Sequence, residues 1–588
     1  MRIHPKKHVV MTQPNYLIVC CLLLTACAQT PPRTEPAQPA TPHHPHAKVE
    51  AEVQPVLPDM ELSNELLYEF LLSEIANQRG HTALAVKSSA DIARQTGDPR
   101  LAKRAAQLAV ESGDMNKSID ALRYWREVEP TSISAARMLS SILLRGGRLD
   151  EAQPELANIL EAEKENQGNE FLQVFQVVAP YPDKPAALKL MRDLAQPYPH
   201  IAEARWSVAQ LAQQAGDREL ALNEVRQARK LQPKWSMAVS LEAQLLLKSA
   251  PQQALDSLRR FLSDYPDHRE IRLQYARMLL DQKQYRKSRD EFLRLAKDNP
   301  GNPDIAFAIA LISLQLNDFK NAEAQLRQLL GKGNMDQNTV QYYLGQLSEA
   351  KEDQSLAIEY YREVKSGAYQ FAAQLRVVYL LDRLGKLDEA REYLHQTPAV
   401  DNQQRVQLIL IESQLLHEAK RAENAYQVLQ QGLEKLPNHP ELLYATGMMA
   451  DKIGKPEVFE QLMRKLIQVK PDHAHAHNAL GYSLLERNER IPEALELVEK
   501  ALQLAPDDAA IMDSVGWGYY RSGRLDESLA TLRRAFASNP DPEIAAHLGE
   551  VLWMRGDKDE AGKVWQDSLK THPGNVPLQK VIEKFTGQ

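Results

Sequence analysis

The chain has 588 residues, with 71 basic and 78 acidic side chains and a net charge of −7. That acid excess excludes nucleic acid or an anionic lipid surface as a sequence-wide partner. Only 25 glycines and 6% aromatics, beside abundant Ala, Leu, Gln, Glu and Arg, exclude a strand-rich fold and point to helices.

Residues 1–26 read as a signal peptide. Arg2, Lys6 and Lys7 form a basic start, and Tyr16 to Leu24 is an apolar run too short to span a bilayer. Leu24-Thr25-Ala26-Cys27 follows and resembles the lipobox of bacterial lipoproteins. That resemblance implies cleavage before Cys27 and lipidation of its sulfur, as by palmitate, and of its amine. Ala28, where lipoproteins kept in the inner membrane carry Asp, implies an outer-membrane anchor facing the periplasm. The plainer reading is a Cys that follows an ordinary cleavage site. Met11 is an alternative start, but the residues after it lack a basic side chain. Cys20, Cys21 and Cys27 are the three cysteines of the chain, so cleavage leaves the anchor thiol alone and no internal disulfide. It also removes three basic and no acidic residues, which moves the net charge from −7 to −10.

Residues 27–58 comprise the lipidated Cys and a Pro-rich tether. Ala28 to Pro58 holds eight prolines and no hydrophobic periodicity, which predicts a disordered spacer. At about 3.1 Å per residue its reach is on the order of 95 Å. His43, His44 and His46 offer imidazoles to a metal but lack carboxylate or thiolate support, so a plain spacer is preferred.

Helices begin near Leu62, where Leu62, Leu66, Phe70 and Ile75 are expected to form an inward stripe. Residues 59–199 read as irregular helical repeats: Ala106, Ser118 and Pro130 fit one unit, and Ala152 and Leu156 the next. Pro180, Pro182 and Pro185 break the pattern before Pro199. From residue 200 to 573 a period takes over. Prolines at 199, 233, 266 and 300 are 34, 33 and 34 residues apart, and those at 437, 471, 506, 540 and 573 are 34, 35, 34 and 33 apart. Across the gap the small residues keep time, with Ala310 and Ala322, Gly345 and Ala357, and Ser413 and Ala425 each 12 apart. Eleven repeats fit this stretch, with three or four divergent ones before it. Residues 574–588 read as a capping helix.

The clearest unit is Asp507 to Pro540. One helix is expected from Ala509 to Arg521 and a second from Leu525 to Ala537, with Leu525, Leu529, Leu532 and Phe536 on one face. Ser522-Gly523-Arg524 makes the turn, and Pro540 ends the unit. Gly516 sits where the two helices approach, and Ser528 lies 12 residues on. This pattern resembles a tetratricopeptide repeat (TPR). The resemblance implies an all-α fold, a right-handed superhelical solenoid of TPR helix hairpins, whose first helices line a concave surface that binds protein segments. By that geometry the groove residues are Tyr444, Asn478, Tyr482, Asp513, Trp517, Tyr520, Arg521 and Trp553, each with the alternative of turning into the core between repeats. Aromatic side chains and Arg at such positions suit binding hot spots. The carboxylate clamp of chaperone-binding TPRs is matched by Asn478 alone.

No HExxH, GxSxG, Walker loop or dinucleotide fingerprint is present, so no enzymatic activity, metal or cofactor is expected. His473 and His477 are four apart on one helix and could share a zinc ion, but a structural histidine at the start of a repeat is the preferred reading. Ala476 to Trp565 resembles a family of proteobacterial outer-membrane TPR lipoproteins. That resemblance implies an adaptor that presents peptidoglycan hydrolases to a periplasmic carboxy-terminal processing protease. The alternatives are a TPR lipoprotein that assembles pili, secretion or polysaccharide-export machinery, and a metal-dependent hydrolase built on His473 and His477.

Overall fold

A computed structural model describes residues 57–587 apart from 59, 332 and 334. The signal peptide, Cys27, the three tether histidines and the tether up to residue 56 lie outside the described residues. Those described form 31 helices, from Asn64–Gln78 to Val576–Thr586, and no strand. Consecutive helices pair as antiparallel hairpins. The chain divides into two compact units, one ending at Gln325 and the other running from Leu326.

The hairpin is built from three local devices. Helices start on side chains that take up free backbone N–H groups: Asp114 accepts from Lys117 N, Asn302 from Ile305 N, and Asp508 from Ala510 and Ile511 N. The turn inside most hairpins places one residue in the left-handed region. That residue recurs at Lys283, Asn317, Glu352, Gly385, Lys420, Gly454, Asn488, Gly523 and Gly556. Five of these nine carry a side chain at positive φ, so in this stretch the turn does not require glycine, whereas the earlier hairpins use Gly80, Gly113, Gly147 and Gly216. Finally, the small residue of the first helix meets the second helix closely. A Cβ on Gly516 would lie 2.6 Å from Leu532, and one on Gly549 2.0 Å from the Trp565 ring. The partner 12 residues on explains its own spacing: Ser528 Oγ donates to the Gly516 carbonyl at 2.7 Å, and Ser288 Oγ to that of Ala276 at 2.8 Å.

In the unit ending at Gln325, Trp125 and Phe171 are enclosed in one core that runs from Ala93 to Leu245. The prolines near residue 180 sit in the connection between the helices Gln167–Val178 and Lys184–Ala195, and Pro185 occupies the first turn of the latter. These two helices pack on Ala202–Ala215 more than on each other. The first helix departs from the expected stripe. Leu66 is half-buried, but Leu62, Phe70 and Ile75 are exposed, and Ser73 and Ala76 face inward instead. The helix is apolar on both sides, so its period alone cannot say which side meets the core.

In the unit from Leu326, Tyr361, Phe459 and Trp565 are fully enclosed. Its last helix, Val576–Thr586, packs on Pro542–Arg555, buries Leu578 and stacks Phe585 on Trp565 at 6.0 Å.

Candidate functional site

Four first helices carry the residues singled out by the sequence: Pro440–Lys452, Ala474–Glu486, Ala509–Arg521 and Pro542–Arg555. The last three pack side by side, the middle one touching both others. Their close approach encloses the side chain that follows each small residue. Asn478, Tyr482, Asp513 and Trp517 are buried, while Tyr444, Tyr520, Arg521 and Trp553 are half-buried. The open strip expected of all eight is thus half enclosed.

Five of the eight come together around one ring. Trp517 stacks on His547, with centroids 4.3 Å apart and planes 22° apart, and its Nε1 donates to Glu486 Oε1 at 2.9 Å. Nδ1 of His547 donates to both oxygens of Asp513, at 3.0 and 2.9 Å. Tyr482 Oη donates to Glu543 Oε1 at 3.3 Å, from a helix two repeats away. Tyr520 lies 5.0 Å from Trp517 and donates to Glu550 at 3.3 Å, and the Arg521 guanidinium sits 5.8 Å from the centre of the Trp517 ring. Hydrogen bonds and stacking thus join the inner sides of three successive first helices.

The electrostatics follow from burial. Enclosure disfavours a charged His547, but the Asp513 carboxylate outweighs it, with Glu543 and Glu486 adding to the effect, and the imidazole is pushed up to about 8. Burial raises the Glu543 carboxyl, and pushes the Tyr482 phenol far above its usual range with Glu543, Glu486 and Asp513 adding to it. At neutral pH His547 is therefore a cation held between a carboxylate and an indole face.

The other three residues stand apart from this group. Tyr444 lies 5.4 Å from the His473 ring. Trp553 belongs with the end of the unit, stacked 5.8 Å from Trp565 and covered by Lys558 at 5.0 Å. Asn478 Oδ1 is buried without a hydrogen-bond partner. His547 and Glu543 were missed by the sequence reading. The signal was available for His547, which stands one period of 34 after Asp513 and so on the neighbouring wall position.

The paired histidines serve the backbone. His473 Nδ1 accepts from Ala476 N at 3.1 Å as a helix cap, and His477, buried, donates from Nε2 to the Pro471 carbonyl at 2.9 Å. Among the described residues no three His, Cys, Asp or Glu side chains gather as metal ligands.

The unit ending at Gln325 has an inner hollow of different chemistry. About 400 Å³ in volume, it is lined by Gln210, Gln244 and Gln274 with Ser236, Ser240 and Trp206 on three successive first helices. Met237, Leu241, Ile271 and Glu270 complete its lining, so amides and hydroxyls there alternate with apolar side chains.

A family model described as tetratricopeptide repeat matches residues 248–303, 307–373, 444–509 and 516–576. The chain is 31% identical over 585 residues to the TPR repeat-containing protein PA4667 of Pseudomonas aeruginosa, covering 98% of this chain and 97% of that one. It is 24% identical over 304 residues to the cellulose synthase operon protein C of Pseudomonas fluorescens, covering 48% of this chain and 23% of that one. A solved tetratricopeptide repeat protein from Parabacteroides merdae overlaps 43% of this chain and 99% of its own, at 16% identity and a TM-score of 0.34.

Proposed function

The chain belongs to the tetratricopeptide-repeat family, and from that premise we propose that it is a lipid-anchored adaptor of the outer membrane, facing the periplasm. In this reading it holds peptidoglycan hydrolases for a periplasmic carboxy-terminal processing protease and catalyses nothing itself. The observation that carries the binding role is the cross-linked wall around Trp517, which fixes large side chains before a partner arrives and so lowers the ordering cost of binding. The anchor rests on Leu24-Thr25-Ala26-Cys27, and the protease and its clients on the resemblance carried by residues 476–565.

The test is a cleavage assay with the full chain, the protease and a peptidoglycan hydrolase. The expected result is faster hydrolase cleavage with all three present and an intact hydrolase when the protease is left out. Cleavage at the same rate with and without the chain would exclude the adaptor role. A second reading, assembly of polysaccharide-export machinery, is favoured by the partial likeness to the cellulose synthase operon protein C. It predicts association with export components and no effect on proteolysis.

A further inference from the structure

The hollow in the unit ending at Gln325 lies on Ala202–Ala215, Ser236–Leu247 and Arg269–Asp281, and its lining repeats with the array. Gln210 and Gln244, Ser236 and Glu270, and Ser240 and Gln274 are each 34 residues apart, so they form rows across successive first helices. Between these polar rows Leu241 and Ile271, both buried, make an apolar floor. The fold makes little use of the rows. The side chains of Gln210, Ser236, Ser240 and Gln244 form no hydrogen bond with the described residues. Gln274 does form one: its Nε2 crosses to the neighbouring helix and donates to the Ser240 carbonyl at 3.2 Å. The hollow thus holds one amide side chain paired with backbone, and two more amides free to do the same.

We infer that the hollow takes an extended, non-acidic stretch from the interior of a client's chain and reads its backbone rather than its sequence. A primary amide carries a donor and an acceptor, as each peptide unit does, so Gln210 and Gln244 can each pair with both groups of one residue. Neighbouring helices lie about 10 Å apart and an extended chain rises about 3.3 Å per residue. Each first helix therefore meets the segment once in about three residues, and the side chains between those contacts rest on the apolar floor. Other ligands fit less well. Glu270 is the charged group of the lining and no basic side chain joins it, so phosphates and acidic segments are repelled. A sugar would need an open aromatic face, and Trp206 has none. Its ring is 5% exposed, sits 5.3 Å from Phe175 and 5.7 Å from Trp235, and its Nε1 donates to the Met237 carbonyl at 3.3 Å. An acyl chain would leave the amides unpaired. The inference rests on the protein-binding reading above and adds what the client must present: a segment whose own backbone groups are not already paired in a helix or sheet.

The probe is a dye-labelled decapeptide, capped at both ends, in which serine and leucine alternate and one lysine replaces a serine. It is titrated by fluorescence anisotropy against the full-length chain in a non-ionic detergent. Saturable binding is expected, and the same residues in reversed order should bind equally well. Methylating alternate backbone nitrogens, with every side chain kept, should weaken binding by about tenfold, and so should the pair Gln210→Ala and Gln244→Ala. That pair should leave the circular-dichroism melt unchanged, because neither side chain bonds within the fold. Gln213→Ala, exposed on the same helix and outside the hollow, should change nothing. Replacing the lysine of the peptide by glutamate should weaken it, and Glu270→Gln should remove that preference. The absence of saturable binding overturns the inference. So does a methylated peptide that binds as well as its parent, a doubly substituted chain that binds normally, or displacement of the peptide by an N-acetylglucosamine tetramer. The protease and the hydrolase are absent from this titration, so its failure and that of the cleavage assay are separate results.

Discussion

The wall around Trp517 makes a pH prediction whose size and sign follow from one residue. The Asp513 carboxylate outweighs the cost of burying a charged His547 and pushes the imidazole up to about 8, from an ordinary histidine value of 6.5. At about 1.36 kcal/mol per unit, that difference amounts to about 2 kcal/mol of stability for the repeats it joins. A histidine raised on folding stabilises fully below its unfolded value and loses the contribution as pH rises through the folded value. The window is therefore from about 6.5 to 8, with the more stable wall on the acid side. Repeat arrays open locally, so a global melt would dilute the effect. The assay is hydrogen exchange on the full chain, read as protection factors for Pro542–Arg555 after correction for the intrinsic rate at each pH. Protection in that helix should fall by about 2 kcal/mol between pH 6 and 9. His547→Gln should abolish the slope, while Ala202–Ala215, outside the network and without a histidine, stays level in both proteins. A slope that survives His547→Gln, or protection that rises with pH, would refute the reasoning.

Other positions test separate parts of the structure. Trp517→Ala should cost about 3–5 kcal/mol in local stability, whereas Trp517→Phe, which removes the bond to Glu486 and part of the buried ring but keeps an aromatic face against His547, should cost about 1–3 kcal/mol; denaturant titration with circular dichroism distinguishes them. Gly549→Ala drives a methyl into Trp565 and should destabilise by about 1–3 kcal/mol. Gly562→Ala, with open space around its Cβ, should instead stabilise by up to about 1 kcal/mol, as differential scanning calorimetry would show. Cys27→Ala should abolish lipid labelling and retention in the outer-membrane fraction.

The repeat was legible because its markers are chemical: proline ends a helix, and a small residue is required where two helices touch. Where proline is lost, between Pro300 and Pro437, the turn residue keeps the period, at Asn317, Glu352, Gly385 and Lys420. That ladder was invisible in the sequence because Glu and Lys have no special claim on the left-handed region. The residues singled out for the groove fall on neighbouring first helices, but their enclosure was not legible. Trp517 and Tyr520 both belong to the inner side, but whether an indole is enclosed depends on His547 one repeat later. Helical period failed at Asn64–Gln78 for a different reason: with apolar residues on both sides, the pattern has no polar face to mark the outside.

In the proposed adaptor role, the enclosed aromatics bear on how this wall would recognise a partner. A side chain that is already stacked and hydrogen-bonded contributes little flexibility to be lost, so binding need not order it. Trp517, Tyr482 and Asp513 thus act behind the surface, fixing the spacing of three first helices, while Tyr520, Arg521 and the exposed Glu486 are the groups a partner can reach. The reachable set presents one phenol, one cation and one carboxylate, a polar rim on a rigid backing, which in the proposed role would select by geometry more than by apolar area. Substituting Arg521 should then weaken a partner without loosening the array, and substituting Trp517 or Tyr520, which bonds to Glu550 on the next first helix, should do both. The ratio of the two effects, measured on the same proteins by titration and by hydrogen exchange, separates residues that touch the partner from those that hold them in place.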